Sequence, residues 1–105
     1  MKINVILACA AGMSTSMLVE KIKTAASESG VDINVRAVPT TEVSGIVAYE
    51  KVDMILLGPQ VRFMQTKIQA EVPRDVPVDV INSMDYGTMN GANVLKLINS
   101  KVKNK

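Results

Sequence analysis

The sequence contains no histidine and no tryptophan, and it has one cysteine among its 105 residues. A lone cysteine excludes an internal disulfide and a paired-thiol redox motif. The absence of histidine excludes the usual zinc ligand sets and any cysteine–histidine couple within this chain. We therefore expect no metal site and no cofactor. A general base, if the chemistry needs one, has to come from another molecule.

Aromatic residues make up only 3% of the chain, whereas apolar residues reach 48%, mainly Val, Ile, Met and Ala. This composition favours a sheet packed by helices over a sandwich with an aromatic core. The length fits one domain that covers residues 1–105. The formal charge is only +2, and Lys and Arg are scattered apart from the C-terminal tail, so nucleic acid is not an expected partner.

Long apolar segments are absent as well. The apolar opening, residues 3–8, is too short to span a bilayer and has no cleavage-type end. We expect neither a transmembrane helix nor a signal peptide, no insertion into a membrane, and a cytoplasmic protein. We also expect a monomer, because no predicted surface is left over for a dimer.

Four segments predict β-strands. Residues 2–8, 52–57 and 76–81 are continuous apolar runs typical of strands covered on both faces, whereas residues 31–38 alternate with a period of two, as at the edge of a sheet. Helices are predicted after each strand. The result is an α/β fold with a parallel sheet in the order 2-1-3-4 and helices on both faces.

The ends of the predicted helices follow from local signals. The first helix begins at Ser14 to Ser16 and is stopped by Gly30, and the second is capped by Thr40 or Thr41. Pro59 opens a third helix that Pro73 ends. Residues 82–90 are predicted to be a polar loop, and the closing helix that follows is capped by Asn90.

The chemistry is expected where the first strand ends. In open parallel sheets, ligands bind outside the carboxyl ends of the strands at the point where the strand order reverses, which is beside strand one here. Three segments surround this crevice. They are residues 9–16, residues 58–60 and residues 82–87.

The thiol of Cys9 lies at this crevice and is the candidate nucleophile. The residues after it are small, so their backbone amides can converge on an anion, and three hydroxyl residues follow at the predicted helix start. We interpret this stretch as a phosphate-binding loop formed by Ala10, Ala11, Gly12, Met13, Ser14, Thr15 and Ser16. The plainer alternative is that Cys9 is a small buried hydrophobic residue and that the hydroxyl residues only cap a helix.

The layout resembles that of the low-molecular-weight tyrosine phosphatases, whose loop carries an arginine at the sixth position after the cysteine. Here that position is Thr15. Without a guanidinium the site lacks bidentate stabilisation of the transferring phosphoryl group, so phosphatase-like hydrolysis is not expected. A second thiol, which an arsenate reductase would need, is missing too.

Three segments together resemble the EIIB component of the lactose/cellobiose family of the bacterial phosphoenolpyruvate-dependent sugar phosphotransferase system, in its cellobiose or chitobiose branch. They are residues 9–19 (CAAGMSTSMLV), 56–61 (LLGPQV) and 79–87 (DVINSMDYG). The resemblance runs nearly end to end. It implies a phosphotransferase in which Cys9 accepts a phosphoryl group from a histidine of EIIA and passes it to a β-disaccharide bound by the membrane permease EIIC.

The same resemblance assigns secondary roles. Pro59, Gln60 and Tyr86 are interpreted as site wall and partner contact, and Met13 as an exposed contact for EIIA or EIIC. Met17 and Met64 lie at helical spacing and are predicted to be core residues, with a place on a docking surface as the alternative. Two other functions remain open at this point: a phosphatase-like enzyme on the same scaffold, and a non-catalytic anion-binding module in which Cys9 is inert.

Overall fold

A computed structural model describes residues 2–10 and 16–102 of the chain. Strands and helices alternate along these residues, and each strand except the last leads into one helix. In chain order the elements are β1 (Ile3–Cys9), α1 (Ser16–Glu28), β2 (Ile33–Pro39), α2 (Val43–Tyr49), β3 (Met54–Leu57), α3 (Gln65–Glu71), β4 (Val78–Val80), α4 (Ser83–Gly87) and α5 (Gly91–Lys101).

The strands form one parallel sheet in the order β2-β1-β3-β4. β1 pairs with β2 from Ile3 opposite Ile33 to Cys9 opposite Pro39, and with β3 from Val5 opposite Met54 to Ala8 opposite Leu57. The predicted fold class and strand order are confirmed. β2, with its alternating pattern, lies at an edge as expected because only one of its sides has a partner.

Side chains on the two faces of the sheet form two separate apolar clusters. Val5 and Leu7 point toward α1 and α5, whereas Ile6 and Ala8 point toward α2 and α3. This alternation explains the continuous apolar run of β1, because a strand covered on both faces buries every side chain. Helices therefore cover both faces, as predicted.

Residues 82–90 were predicted to be a polar loop, and this prediction is wrong. Ser83–Gly87 form the short helix α4. The Asn82 side chain accepts a hydrogen bond from the Asp85 backbone N–H at 2.8 Å, which satisfies one of the unpaired donors at the helix start. The polar composition that suggested a loop is in fact the composition of a helix cap.

Two further details of the helices differ from the sequence prediction. Residues Pro59–Met64 form a 3₁₀ segment with non-helical backbone at Val61, so the α-helical part begins only at Gln65. Neither threonine caps the second helix. A 3₁₀ turn at Thr40–Glu42 precedes α2, and Pro39, before that turn, makes no side-chain cap. Proline at the start of each 3₁₀ segment fixes the backbone without needing a donor.

Other predicted helix ends are confirmed. Gly30 has a φ of 72°, and the backbone N–H groups of Gly30 and Val31 donate to the carbonyls of Ser27 and Ala26. These two bonds are the Schellman pattern, which needs a residue that tolerates left-handed backbone. Asn90 caps α5 by accepting from the Asn93 backbone N–H at 3.0 Å.

Gly91, the first residue of α5, fixes how α1 and α5 pack. A Cβ at this position would overlap the Lys21 carbonyl and lie 2.8 Å from the Ile22 nitrogen. The obstacle is backbone, which a side-chain rotation cannot move aside. The absence of a side chain at Gly91 is therefore what allows α5 to pack this closely on α1.

We predict that Gly91→Ala costs about 3 kcal/mol or more of unfolding free energy, because a methyl group forced against backbone displaces the helix. Urea unfolding followed by circular dichroism measures this change. Gly45→Ala is the matched control, since Gly45 is also helical but has nothing within 4 Å of a Cβ. That control should be neutral or more stable by up to about 1 kcal/mol. Equal effects of the two substitutions would contradict the prediction.

Candidate functional site

Cys9 is the last residue of β1 and lies at the carboxyl edge of the sheet. Its side chain follows Val5 and Leu7 in the strand alternation and so lies on the face covered by α1 and α5. Only 2% of the residue is exposed. The thiol thus lies at the edge where a parallel sheet binds ligands, and the apolar side chains of β1 precede it in the strand.

The predicted phosphate-binding loop is described only at its two ends. Ala10 is exposed and follows directly from Cys9, and Ser16 is the first residue of α1. The remaining predicted members lie outside the described residues, namely Ala11, Gly12, Met13, Ser14 and Thr15. The first turn of α1 contains no acidic side chain, so nothing in that turn opposes an anion at the positive end of this helix.

Gly58 continues the β3 backbone one residue past Leu57 and lies beside Cys9. Its N–H donates to the Ala8 carbonyl at 3.1 Å, which extends the pairing of β1 and β3 to this edge. A Cβ on Gly58 would lie 2.8 Å from Oε1 of Gln60 and 3.5 Å from Cε1 of Tyr86. The glycine therefore makes room next to the thiol, and Gln60 and Tyr86 border that space.

Tyr86 is half-buried in α4, where it packs against the cluster on the α1/α5 face. Its neighbour Asp85 holds this short helix in place. One carboxylate oxygen of Asp85 accepts from Asn82 at 2.9 Å and the other accepts from Asn93 of α5 at 3.0 Å. The network ties α4 to α5, and it thereby fixes the tyrosine ring against Gly58.

The three predicted wall residues are thus brought together. Pro59 begins the 3₁₀ segment directly after Gly58 and is half-buried, while the exposed Gln60 and the half-buried Tyr86 both approach Gly58. Sequence reasoning missed Asp85 and Asn93, which position α4. The signal was present, since an asparagine three residues before an acidic residue is typical of a capped helix start.

Three large apolar side chains are exposed on segments that adjoin this edge, and we call them the apolar rim: Met17 in the first turn of α1, Phe63 after β3, and Met84 in α4. Their exposed fractions are 59%, 78% and 76%. The prediction that Met17 is a core residue is wrong, whereas Met64 is confirmed as partly buried against the α2/α3 cluster. Phe63 and Met84 were missed because single apolar residues next to turns follow no period.

A second cleft lies at the opposite, amino edge of the sheet. It has a volume of about 260 Å³ and is lined by Val47, Glu50, Lys51, Val52, Asp53, Pro73, Asp75 and Val76. Buried Asp53 accepts the Asn4 N–H at 2.8 Å, and its own N–H donates to the Asn4 carbonyl at 2.7 Å. Its carboxylate therefore ties the start of β3 to β1.

Across residues 2–10 and 16–102, no three His, Cys, Asp or Glu side chains form a group that could hold a metal ion. No helix in those ranges has both the length and the apolar character needed to cross a bilayer.

Comparison with known proteins gives consistent matches. The family model described as "PTS system, Lactose/Cellobiose specific IIB subunit" matches residues 4–97. A galactose-specific EIIB component of Lactococcus lactis subsp. cremoris is 48% identical over 85% of this chain and 86% of that protein. A cellobiose-specific EIIB component of Lactococcus lactis subsp. lactis is 47% identical over the same shares. An oligo-beta-mannoside-specific EIIB component of Bacillus subtilis is 36% identical over 84% of both chains.

Solved structures give the same result. The solution structure of a cellobiose-specific phosphotransferase IIB component from Borrelia burgdorferi is 39% identical, has a TM-score of 0.79, and covers 100% of this chain and 95% of that one. The lactose-specific IIB component domain from Streptococcus pneumoniae has a TM-score of 0.84 over 98% of this chain and 100% of that one. At 18% identity the second likeness shows the fold alone.

The fold and these relatives agree. The chain belongs to the lactose/cellobiose-specific IIB subunits of the sugar phosphotransferase system.

Proposed function

We propose that Cys9 is the phosphorylated residue of this subunit and that it acts as a relay between two other proteins. IIB subunits of this system are sugar-specific phosphocarriers that work with an EIIA and an EIIC component. The observation that carries the assignment is the position of Cys9, at the carboxyl end of an inner strand, with a hydroxyl-rich segment leading into α1.

The first step is transfer from EIIA. The Cys9 thiolate attacks the phosphorus of a phosphohistidine on EIIA, so that an S–P bond forms and the N–P bond breaks. The electron pair of the broken bond returns to the imidazole nitrogen. The absence of histidine from this chain agrees with a donor imidazole supplied in trans. Loop amides and the Thr15 and Ser16 hydroxyls stabilise the phosphoryl oxygens.

The second step is transfer to the sugar. A hydroxyl oxygen of the sugar bound by EIIC attacks the phosphorus, the P–O bond forms, and the S–P electron pair returns to Cys9 as thiolate. The hydroxyl proton leaves to a base on the permease side. The substrate we propose is a β-disaccharide of the cellobiose or chitobiose type, which agrees with the cellobiose and oligo-beta-mannoside relatives. Such a carrier works in the cytoplasm.

The apolar rim supports a docking role at this edge. Met17, Phe63 and Met84 are exposed on segments that adjoin the edge where Cys9 lies, and exposed large apolar side chains are typical of interaction surfaces. We propose that EIIA contacts the rim when it delivers the phosphoryl group.

Replacing Cys9 by serine should reduce phosphorylation by phospho-EIIA to background, because a serine hydroxyl is a far weaker nucleophile than a thiolate at neutral pH. Incubation with phosphoenolpyruvate, the general phosphotransferase proteins and EIIA, followed by mass mapping, measures the label. Unchanged circular dichroism is the control for folding. Undiminished labelling of Cys9→Ser would overturn the assignment.

The wild-type protein should not hydrolyse p-nitrophenyl phosphate above the background rate of the Cys9→Ser variant. The physical reason is that Thr15 stands where a phosphatase of this layout has its arginine, so the equatorial oxygens receive no bidentate charge stabilisation. Release of p-nitrophenol measures the rate. Turnover that depends on Cys9 would favour the phosphatase alternative.

Phe63→Ser and Met84→Ser should raise the apparent KM for phospho-EIIA by about fivefold each while leaving the maximal rate nearly unchanged, since each removes a docking contact and no reacting group. Initial phosphorylation rates at varied EIIA measure both constants. Tyr49→Ser is the matched control, because Tyr49 is 90% exposed but ends α2 near the amino edge. An equal rise for Tyr49→Ser would refute the docking role of the rim.

A further inference from the structure

The exposed side chain of Gln60 folds back toward the strand that precedes it. Its carboxamide oxygen lies 2.8 Å from where a Cβ of Gly58 would be, so the side chain folds back over the backbone of the preceding turn. It thereby occupies the space that the glycine leaves open. Gly58 tolerates this contact only because it has no side chain.

The Cβ position of Gly58, which the Gln60 carboxamide approaches, lies on the same side of the sheet as the thiol. Gly58 follows Leu56 in the strand alternation, and Leu56 belongs to the cluster on the α1/α5 face together with Leu7. Cys9 follows Leu7 in the same way. Adjacent strands are about 4.8 Å apart, and the Gly58 N–H bonds to Ala8, the residue before Cys9. The carboxamide of Gln60 therefore lies at the same edge and on the same face of the sheet as Sγ of Cys9.

The neighbouring glutamines give a useful contrast. Gln65 donates to the Val78 carbonyl at 2.8 Å, and Gln69 both donates to Val76 at 2.9 Å and accepts from Val78 at 3.2 Å. These two side chains hold α3 against β4. Within residues 2–10 and 16–102, the Gln60 carboxamide makes no such hydrogen bond.

We propose that Gln60 binds the phosphoryl group on Cys9, by donating a hydrogen bond from Nε2 to one of its terminal oxygens. This inference rests on the proposed function of Cys9. A half-turn of the terminal amide exchanges oxygen and nitrogen, which brings the donor to the position where the oxygen now lies. The ring of Tyr86, 3.5 Å from the same Cβ position, closes the other side of this space.

A neutral donor suits a carrier. An arginine would make a bidentate, charge-assisted contact with the phosphoryl group. That contact would become stronger in the transition state for transfer to water, which favours hydrolysis. A single amide donor stabilises the bound group by less and brings no charge. Gln60 therefore holds the phosphoryl group on the thiol while leaving it available to an acceptor.

The test is the equilibrium constant for phosphoryl transfer between phospho-EIIA and the full-length protein, measured from both directions by intact mass. A hydrogen bond to a charged group contributes enough to change this constant about tenfold. We expect Gln60→Ala to lower it by about tenfold, and Gln60→Glu to lower it further because a carboxylate would face the phosphoryl dianion. The ³¹P chemical shift of phosphocysteine should move in both variants.

Asn99→Asp is the matched control, since it makes the same amide-to-acid change at an exposed position near the end of α5. It should leave the equilibrium constant and the ³¹P shift unchanged. Residues that only assist docking alter the rate of transfer and not its equilibrium. Slower transfer by the Gln60 variants with an unaltered equilibrium and ³¹P shift would therefore overturn the proposal.

The outcome also separates this inference from the function on which it rests. A wild-type protein that carries no label on Cys9 would overturn both proposals. A wild type labelled at Cys9, with Gln60→Glu equal to it in equilibrium constant and ³¹P shift, would overturn the role of Gln60 alone.

Discussion

Pairing of β1 on both of its sides is the constraint on which the rest of the structure depends. Because β2 and β3 each take one edge of this strand, every side chain from Val5 to Cys9 is enclosed by the helices of one face or the other. The strand has no freedom to shift, since a slip of one residue would move its apolar side chains to the wrong face. The cysteine at its end therefore has a fixed position relative to α1 and Gly58.

The site is built from the ends of elements and not from their interiors. β1 contributes the thiol, β3 runs into Gly58 and Gln60, and α4 contributes Tyr86 through a network centred on Asp85. Rigid elements thus bring their variable ends to one edge, where small changes of sequence alter the chemistry without altering the sheet. At the amino edge, the Asp53 carboxylate accepts a hydrogen bond from the Asn4 N–H and so joins the start of β3 to β1.

The sequence predicted the sheet and the place of the thiol because both depend on patterns that extend along the chain. Continuous apolar runs identified the covered strands, and alternation identified β2 as an edge strand. It did not predict α4 or the 3₁₀ geometry after Pro59, since a helix of this length leaves no apolar period. Nor did it predict the contact between Gln60 and Gly58, because that contact depends on the local backbone conformation after β3 and not on composition.

The close approach of Gly91 to the backbone of Lys21 and Ile22 limits where residues can be inserted into or deleted from this chain. A residue inserted in α5 directly after Gly91 would turn the rest of that helix by about 100° relative to the glycine, so the close contact and the buried face of α5 could not both be kept. Length variation among related chains should therefore avoid the first turn of α5.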